Sequence, residues 1–204
     1  MSAQIQRITV FTGSAVGNST SYLEAVQDFA RVVAEAGYGV VFGGGHVGLM
    51  GALADAALGA GTEVIGVMPQ SLVNGEIAHE GLTSLEIVDD MHARKMRMAE
   101  LGDAFVALPG GAGTLEELFE AWTWQQLGIH ANPVALYNVD GFWDPLISMV
   151  EHMTHTGFIR ESFRNALIVA PDPHELLAAI ERWEPPAAKW TKQSGDAKHP
   201  ANPR

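Results

Sequence analysis

Short apolar runs alternate with helical periodicity along almost the whole chain, and few architectures accommodate that pattern. Residues 7–12, 38–42, 63–68, 104–108 and 133–137 are brief and mostly apolar, as strands buried on both faces of a parallel sheet must be. Between them, the apolar spacing of residues 20–36, 48–60, 90–101, 114–127 and 142–155 predicts helices. The alternation predicts α/β layering, with a central, mostly parallel sheet, right-handed crossovers and helices on both faces. A further apolar run, Ala166 to Ala170, precedes a helix expected from about Pro173 to Trp183, with Pro173 at its first position and Asp172 as N-cap. Residues 1–184 are expected to form one domain. From 185 to 204 Pro, Ala, Lys and Ser dominate, and this tail is expected to be disordered.

Charge narrows the choice of partner. The chain carries 12 basic and 24 acidic residues, a formal charge of −12, which argues against nucleic acid or an anionic membrane. Four of the basic residues (Lys189, Lys192, Lys198 and Arg204) lie in the tail, and of the eight that remain Arg94, Lys95 and Arg97 fall within four positions. Gathering scarce positive charge in one place suggests a small anionic ligand there. There is no cysteine, hence no disulfide framework, thiolate metal site or cysteine nucleophile. No apolar run approaches the ~20 residues that span a bilayer, and no secretory signal is visible at the start of the chain. The expectation is a soluble cytoplasmic protein.

Ligands of open parallel sheets bind at the carboxyl ends of the strands, and three loops there are rich in small residues. Thr12 to Asn18 follows the first strand, Gly43 to Gly51 the second, and Pro109 to Thr114 the strand after the basic helix. Each opens into a helix, where backbone N–H groups can surround a phosphate. Ser14, Gly44 and Gly45 are candidate substrate contacts in the first two loops. Gly43 to Gly48 also matches G-x-G-x-x-G, but it follows the second strand, and the acid about 20 residues on, Glu63, opens a strand instead of ending one. A mononucleotide phosphate suits these loops better than a dinucleotide.

Thr114-Leu115-Glu116-Glu117 reads in two ways. It fits a capping box, with Glu117 reaching back to a Thr114 N-cap. Two acids in one turn behind a Pro-Gly-Gly loop equally suit a site that orients water or stabilises positive charge on a sugar, since carboxylates near a helix N-terminus stay ionised readily. In the helix expected over 90–101, Met91, Arg94, Lys95 and Met98 share a face. That face is either solvated, with snorkelling stems, or partly covered, in which case the cations need an anionic partner. His152 and His155 lack both an HExxH pattern and a third ligand, so no metal site is expected. Trp122, Trp124 and Leu127 read as core or subunit contacts.

Pro109 to Glu117 fits PGGxGTxxE, and Gly43 to Gly51 fits GGGxxGLMG. With Met91-His92-Ala93-Arg94-Lys95 and the stretch Thr123 to His130, these segments resemble the Lonely Guy (LOG) family over about Ile8 to Trp183. The resemblance implies a phosphoribohydrolase that splits the N-glycosidic bond of AMP or N6-substituted AMP, in a usually dimeric protein with a Rossmann-like three-layer α/β sandwich fold. This chemistry is expected to need no metal or organic cofactor. By motif it implies Arg94 and Glu117 as the catalytic pair. Glu76, Lys95, Gly111, Ala112, Gly113, Thr114, Leu115, Glu116 and Thr123 match its substrate-contacting positions.

The residues suit that chemistry. Cleaving a nucleotide C1′–N bond builds oxocarbenium-like charge on the ribose, which a nearby carboxylate stabilises in the transition state. Glu117 is expected to do this and to orient water, Glu116 to steer ribose hydroxyls, and Arg94 to bind anionic groups or assist the departing base. Two other readings compete. Relatives of this family have been labelled lysine decarboxylases, which would ordinarily hold pyridoxal phosphate on a lysine, and Lys95 is the single lysine before the tail. A nucleotide-binding or carrier protein without catalysis would use the same loops and leave Glu117 as a cap.

Overall fold

The computed structural model describes residues 5–73 and 77–190. In chain order its elements are β1 (Arg7–Phe11), α1 (Thr20–Glu35), β2 (Gly39–Phe42), α2 (Gly48–Gly59), β3 (Val64–Pro69), α3 (Gln70–Val73), β4 (Ser84–Val88), α4 (Met91–Leu101), β5 (Ala104–Ala107), α5 (Ala112–Leu127), β6 (Val134–Tyr137), a 3-10 turn (Val139–Gly141), α6 (Asp144–His155), α7 (Glu161–Ala166), β7 (Ile168–Ala170) and α8 (Pro173–Glu181). All seven strands are parallel, in the order β4-β3-β2-β1-β5-β6-β7. The chain builds outward from β1 through β4, then returns to lay β5 on the other side of β1. That reversal opens a crevice above the carboxyl ends of β1 and β5, where ligands of such sheets bind.

Alternating strand residues fill two cores. Ile8 and Val10 pack with Phe29 and Val33 of α1, Leu53 of α2 and Leu176 of α8. Phe11 and Phe105 face the other way, stacked at 6.0 Å, and pack with Met98 of α4 and Leu118 and Trp122 of α5. Helices therefore cover both faces, as the apolar runs predict. Asp172 caps α8 through the N–H groups of His174 and Glu175, with Pro173 in the first turn.

Three elements escaped the sequence reading. β4 is the edge strand and is only half buried, so it shows no continuous apolar run. α3 and α7 are four and six residues long, too short to carry a helical period. α5 starts at Ala112 with Gly111 as N-cap and no side-chain cap, which overturns the capping box: Thr114 lies inside the first turn and Glu117 nearly two turns in. After α8 the chain runs without helix or strand to 190, and the Lys189 N–H donates to the Gln126 carbonyl at 2.8 Å. The rest of the tail lies outside the described residues. Among the described residues no helix is long and apolar enough to cross a membrane.

Candidate active site

The first and third small-residue loops meet at the β1–β5 crevice. The Gly13 N–H donates to the Pro109 carbonyl at 3.1 Å, and the Gly13 carbonyl accepts from the Met50 N–H at 3.3 Å. A Cβ at Gly48, whose φ is +60°, would strike the Ser14 backbone, and one at Gly110 would strike Thr114 Oγ1. Packing thus dictates glycine at 48 and 110. Gly111 and Gly113 differ, because a Cβ at either would meet open space and neither has positive φ. The fold does not need glycine at these two positions; close approach of a ligand would.

Gly111, Ala112 and Gly113 are exposed while Thr114 is buried. The first N–H groups of α5 have no intrahelical partner and no capping side chain, so the sixteen-residue helix presents open amides and its positive end to the crevice. Beside it lies a cavity of about 250 Å³ lined by Gly13 to Gly17, Tyr22, Leu49, Pro109 to Gly111 and Phe142. Ser14 is on its wall. Gly44 and Gly45 are not: they are buried against residues 77–79, where the His46 N–H donates to the Ile77 carbonyl at 2.9 Å and the His79 N–H to that of Gly44 at 2.8 Å.

α4 supplies the cations. Asp90 caps it, accepting from the His92 and Ala93 N–H groups at 2.9 and 2.8 Å. Arg94 is 9% exposed and its Nε donates to the Val67 carbonyl of β3 at 3.1 Å. A Cβ at Gly43 would fall inside the Arg94 guanidinium. Gly43 therefore lets the arginine cross the end of β2, a role that its place in a glycine run does not reveal.

Across from Arg94 stands Glu117 of α5, with Nη1 and Oε1 3.7 Å apart and both side chains about nine-tenths buried. Burial pushes the Glu117 carboxyl up to about 7. Arg94 opposes that rise, Glu116 adds to it, Lys95 opposes it and Glu120 adds to it. The sequence reading expected a carboxylate readily ionised by the helix N-terminus; six positions inside the cap, desolvation prevails over the dipole. Phe11, Phe105, Ala121 and Trp124 line the narrow cleft beside it.

The other two cations are committed to acids. Lys95 Nζ donates to Glu116 at 2.5 Å and to Glu120 at 3.1 Å. Burial alone would lower the Lys95 ammonium, and these two carboxylates raise it instead. Arg97 turns toward the sheet edge, gripping Glu86 of β4 through two bonds of 2.6 and 3.1 Å and Glu100 at 3.0 Å. The three-cation cluster expected from the sequence is thus divided, and Arg97 is not at the site. Leu115 is half buried and packs against the core on the α4–α5 face. Thr123 is exposed on α5, seven positions beyond Glu116 and so on its side of the helix. Glu76 lies outside the described residues.

The chain is similar to known proteins in sequence and in fold. A family model described as "Possible lysine decarboxylase" matches residues 50–180. The chain is 45% identical over 183 residues to cytokinin riboside 5′-monophosphate phosphoribohydrolase LOG of Oryza sativa subsp. japonica, covering 90% of this chain and 76% of that one. It is 48% identical over 174 residues to cytokinin riboside 5′-monophosphate phosphoribohydrolase of Rhodococcoides fascians, covering 85% of this chain and 88% of that one. Among solved structures, the molybdenum cofactor binding protein of Rippkaea orientalis superposes with a TM-score of 0.66 at 22% identity, covering 87% of this chain and 96% of that one. The molybdenum cofactor carrier protein of Chlamydomonas reinhardtii gives 0.65 at 19%, covering 87% and 97%. At such identities the likeness is one of fold.

Proposed function

This chain belongs to the Lonely Guy (LOG) family, and we propose that it hydrolyses the N-glycosidic bond of AMP or N6-substituted AMP, releasing the free base and ribose 5-phosphate. The observation that carries the reading is the buried Arg94–Glu117 pair, 3.7 Å apart, whose glutamate lies on the helix that opens its uncapped N-terminus into the crevice. The N–H groups of Ala112, Gly113 and Thr114 hold the 5′-phosphate, with Ser14 on the opposite wall. Phosphate binding then positions the ribose along α5, toward Glu117.

As the C1′–N bond lengthens, positive charge grows on the ribose. Glu117 in its carboxylate form stabilises that charge and accepts a proton from the attacking water. Water adds to C1′, the bond electrons leave with the base, and the base takes up a proton from solvent. Glu117 returns to its carboxylate form by releasing the proton it took from the attacking water. A carboxyl near 7 suits a group that must accept a proton at neutral pH. Arg94 never gives up its proton; its guanidinium donates hydrogen bonds to the substrate. Glu116 steers ribose hydroxyls, and Thr123 and Glu76 contact substrate.

Decarboxylation on pyridoxal phosphate does not fit these residues. A lysine that forms a Schiff base must reach its neutral form, whereas Lys95 is ion-paired to two carboxylates and its ammonium is stabilised by them. The active form is proposed to be a homodimer, for which exposed Met91 and Met96 on α4 and Leu127 and Ile129 near the end of α5 offer apolar surface. Incubation with AMP, followed by chromatography for adenine and ribose 5-phosphate, tests the reading. Tight binding of AMP with no adenine released would replace it with a non-catalytic nucleotide-binding role.

A further inference from the structure

Three carboxylates, Glu116, Glu117 and Glu120, lie within five consecutive positions of α5. Two of them are held by one ammonium. Lys95 is only 10% exposed and bridges Glu116 at 2.5 Å and Glu120 at 3.1 Å. Glu120 is 26% exposed, against 56% for Glu116, so its bond to Lys95 is the less screened of the two. The residue next to Lys95 on α4 is Arg94, and Glu117 lies between the two acids that Lys95 grips. The clamp thus ties α4 to α5 where Arg94 and Glu117 face one another across a gap too wide for a hydrogen bond.

We propose that Glu120 is a positioning residue: it anchors Lys95 across the α4–α5 gap and so keeps Arg94 and Glu117 in reacting register. The inference rests on the hydrolase reading above. Glu117 is faced by Arg94 and Lys95 from α4 and by Glu116 and Glu120 from its own helix, while the strands beneath contribute only the apolar Phe11 and Phe105 to the cleft. Removing the Glu120 charge takes one negative neighbour from Glu117. Removing its oxygen also leaves Lys95 held by Glu116 alone, the more exposed of its two partners.

Two variants of the full chain separate these effects. Glu120→Gln deletes the charge but keeps an oxygen that can accept from Lys95 Nζ; Glu120→Ala deletes both. The Glu117 carboxyl is followed by 13C NMR titration, its signal assigned from its absence in Glu117→Gln, and kcat and KM for AMP are measured across the same pH range. Both variants should lower the titration midpoint. Only Glu120→Ala should lose plateau kcat, by about tenfold or more with KM little changed, because misplacement of reacting groups acts on turnover. Equal plateau kcat in the two variants overturns the proposal, as does a rise in KM with kcat intact. A lower Tm in Glu120→Ala with unchanged plateau kcat marks a merely structural contact and overturns it too. If the parent chain released no adenine, the hydrolase reading would fail on its own, and the proposal would be overturned by that route while an unmoved midpoint would refute the charge coupling separately.

Discussion

Arg94 Nη1 and Glu117 Oε1 face each other at 3.7 Å with both side chains about nine-tenths buried, near enough to attract and too far apart to close a hydrogen bond. A tight pair would neutralise both groups and leave little for a substrate. The open pair keeps a cation and a titratable carboxyl available at one end of the crevice. The Val67 carbonyl holds the guanidinium from one side, and the absence of a side chain at Gly43 makes its path possible.

Glu117→Gln should remain folded and lose most of its turnover. The substitution keeps size and removes both the charge and the ability to accept a proton, so kcat should fall by about 10²–10⁴-fold. Circular dichroism checks the fold and adenine release checks the rate. Near-normal turnover would return Glu117 to a structural role, although not to the capping role that the position of Gly111 already excludes.

The same variant should alter the dependence of stability on pH. The Glu117 carboxyl lies near 7 in the fold against an ordinary 4.5. Its raised value contributes stability that is fully present below about 4.5 and is lost as pH rises through 7. Glu117→Gln has no carboxyl to ionise, so its Tm relative to the parent should rise between pH 4.5 and 8. A constant Tm difference across that range would show that Glu117 ionises at its ordinary value.

Much of the architecture was legible because strands buried on both faces must be apolar throughout, and β1, β2, β3, β5 and β6 all lie within runs of that kind or overlap them closely. Edge strand β4 was not, since Ser84–Val88 leaves half of itself to solvent. At the site, the spacing of Pro109 to Glu117 pointed to a phosphate loop running into an acidic turn. It could not reveal which acids pair with which cations. Arg94, Lys95 and Arg97 are close in sequence but leave α4 in different directions, to β3, α5 and β4. Those directions depend on how α4 lies against its neighbours, which local spacing does not encode. The function of Gly43 was hidden for the same reason.

Arg94→Lys should lose most activity and Arg94→Ala at least as much. Lysine keeps a charge but not the planar fork, which here donates to Val67 with one nitrogen and faces Glu117 with another. A solvated surface arginine would tolerate both changes with a shift in stability within about 0.5 kcal/mol. Full turnover by Arg94→Ala would remove it from the site, and Lys95 would be the remaining candidate because it lines the cleft beside Glu117, whereas Arg97 turns away to Glu86 at the sheet edge.

Gly113→Ala separates the needs of the fold from those of the ligand. The added Cβ meets nothing within 4 Å, and alanine in a helix is favoured over glycine by about 0.5–1 kcal/mol. Tm should hold or rise. KM for AMP should rise by about tenfold or more, as expected when a hydrogen bond to a charged group worth about 1.5–3 kcal/mol is weakened. An unchanged KM would place the phosphate elsewhere. Gly48→Ala is the contrasting control: its φ of +60° and its contact with Ser14 should make it destabilising whether or not ligand is present.

The central claim, that a phosphate held at the N-terminus of α5 delivers the ribose to Glu117, is tested most directly by comparing AMP with adenosine as substrates for the parent chain. Adenine release is measured under identical conditions, and kcat/KM is taken for each. The account predicts ready release of adenine from AMP and a far slower reaction of adenosine, because phosphate binding energy is used to position the reacting sugar. Equal kcat/KM for nucleotide and nucleoside would contradict it.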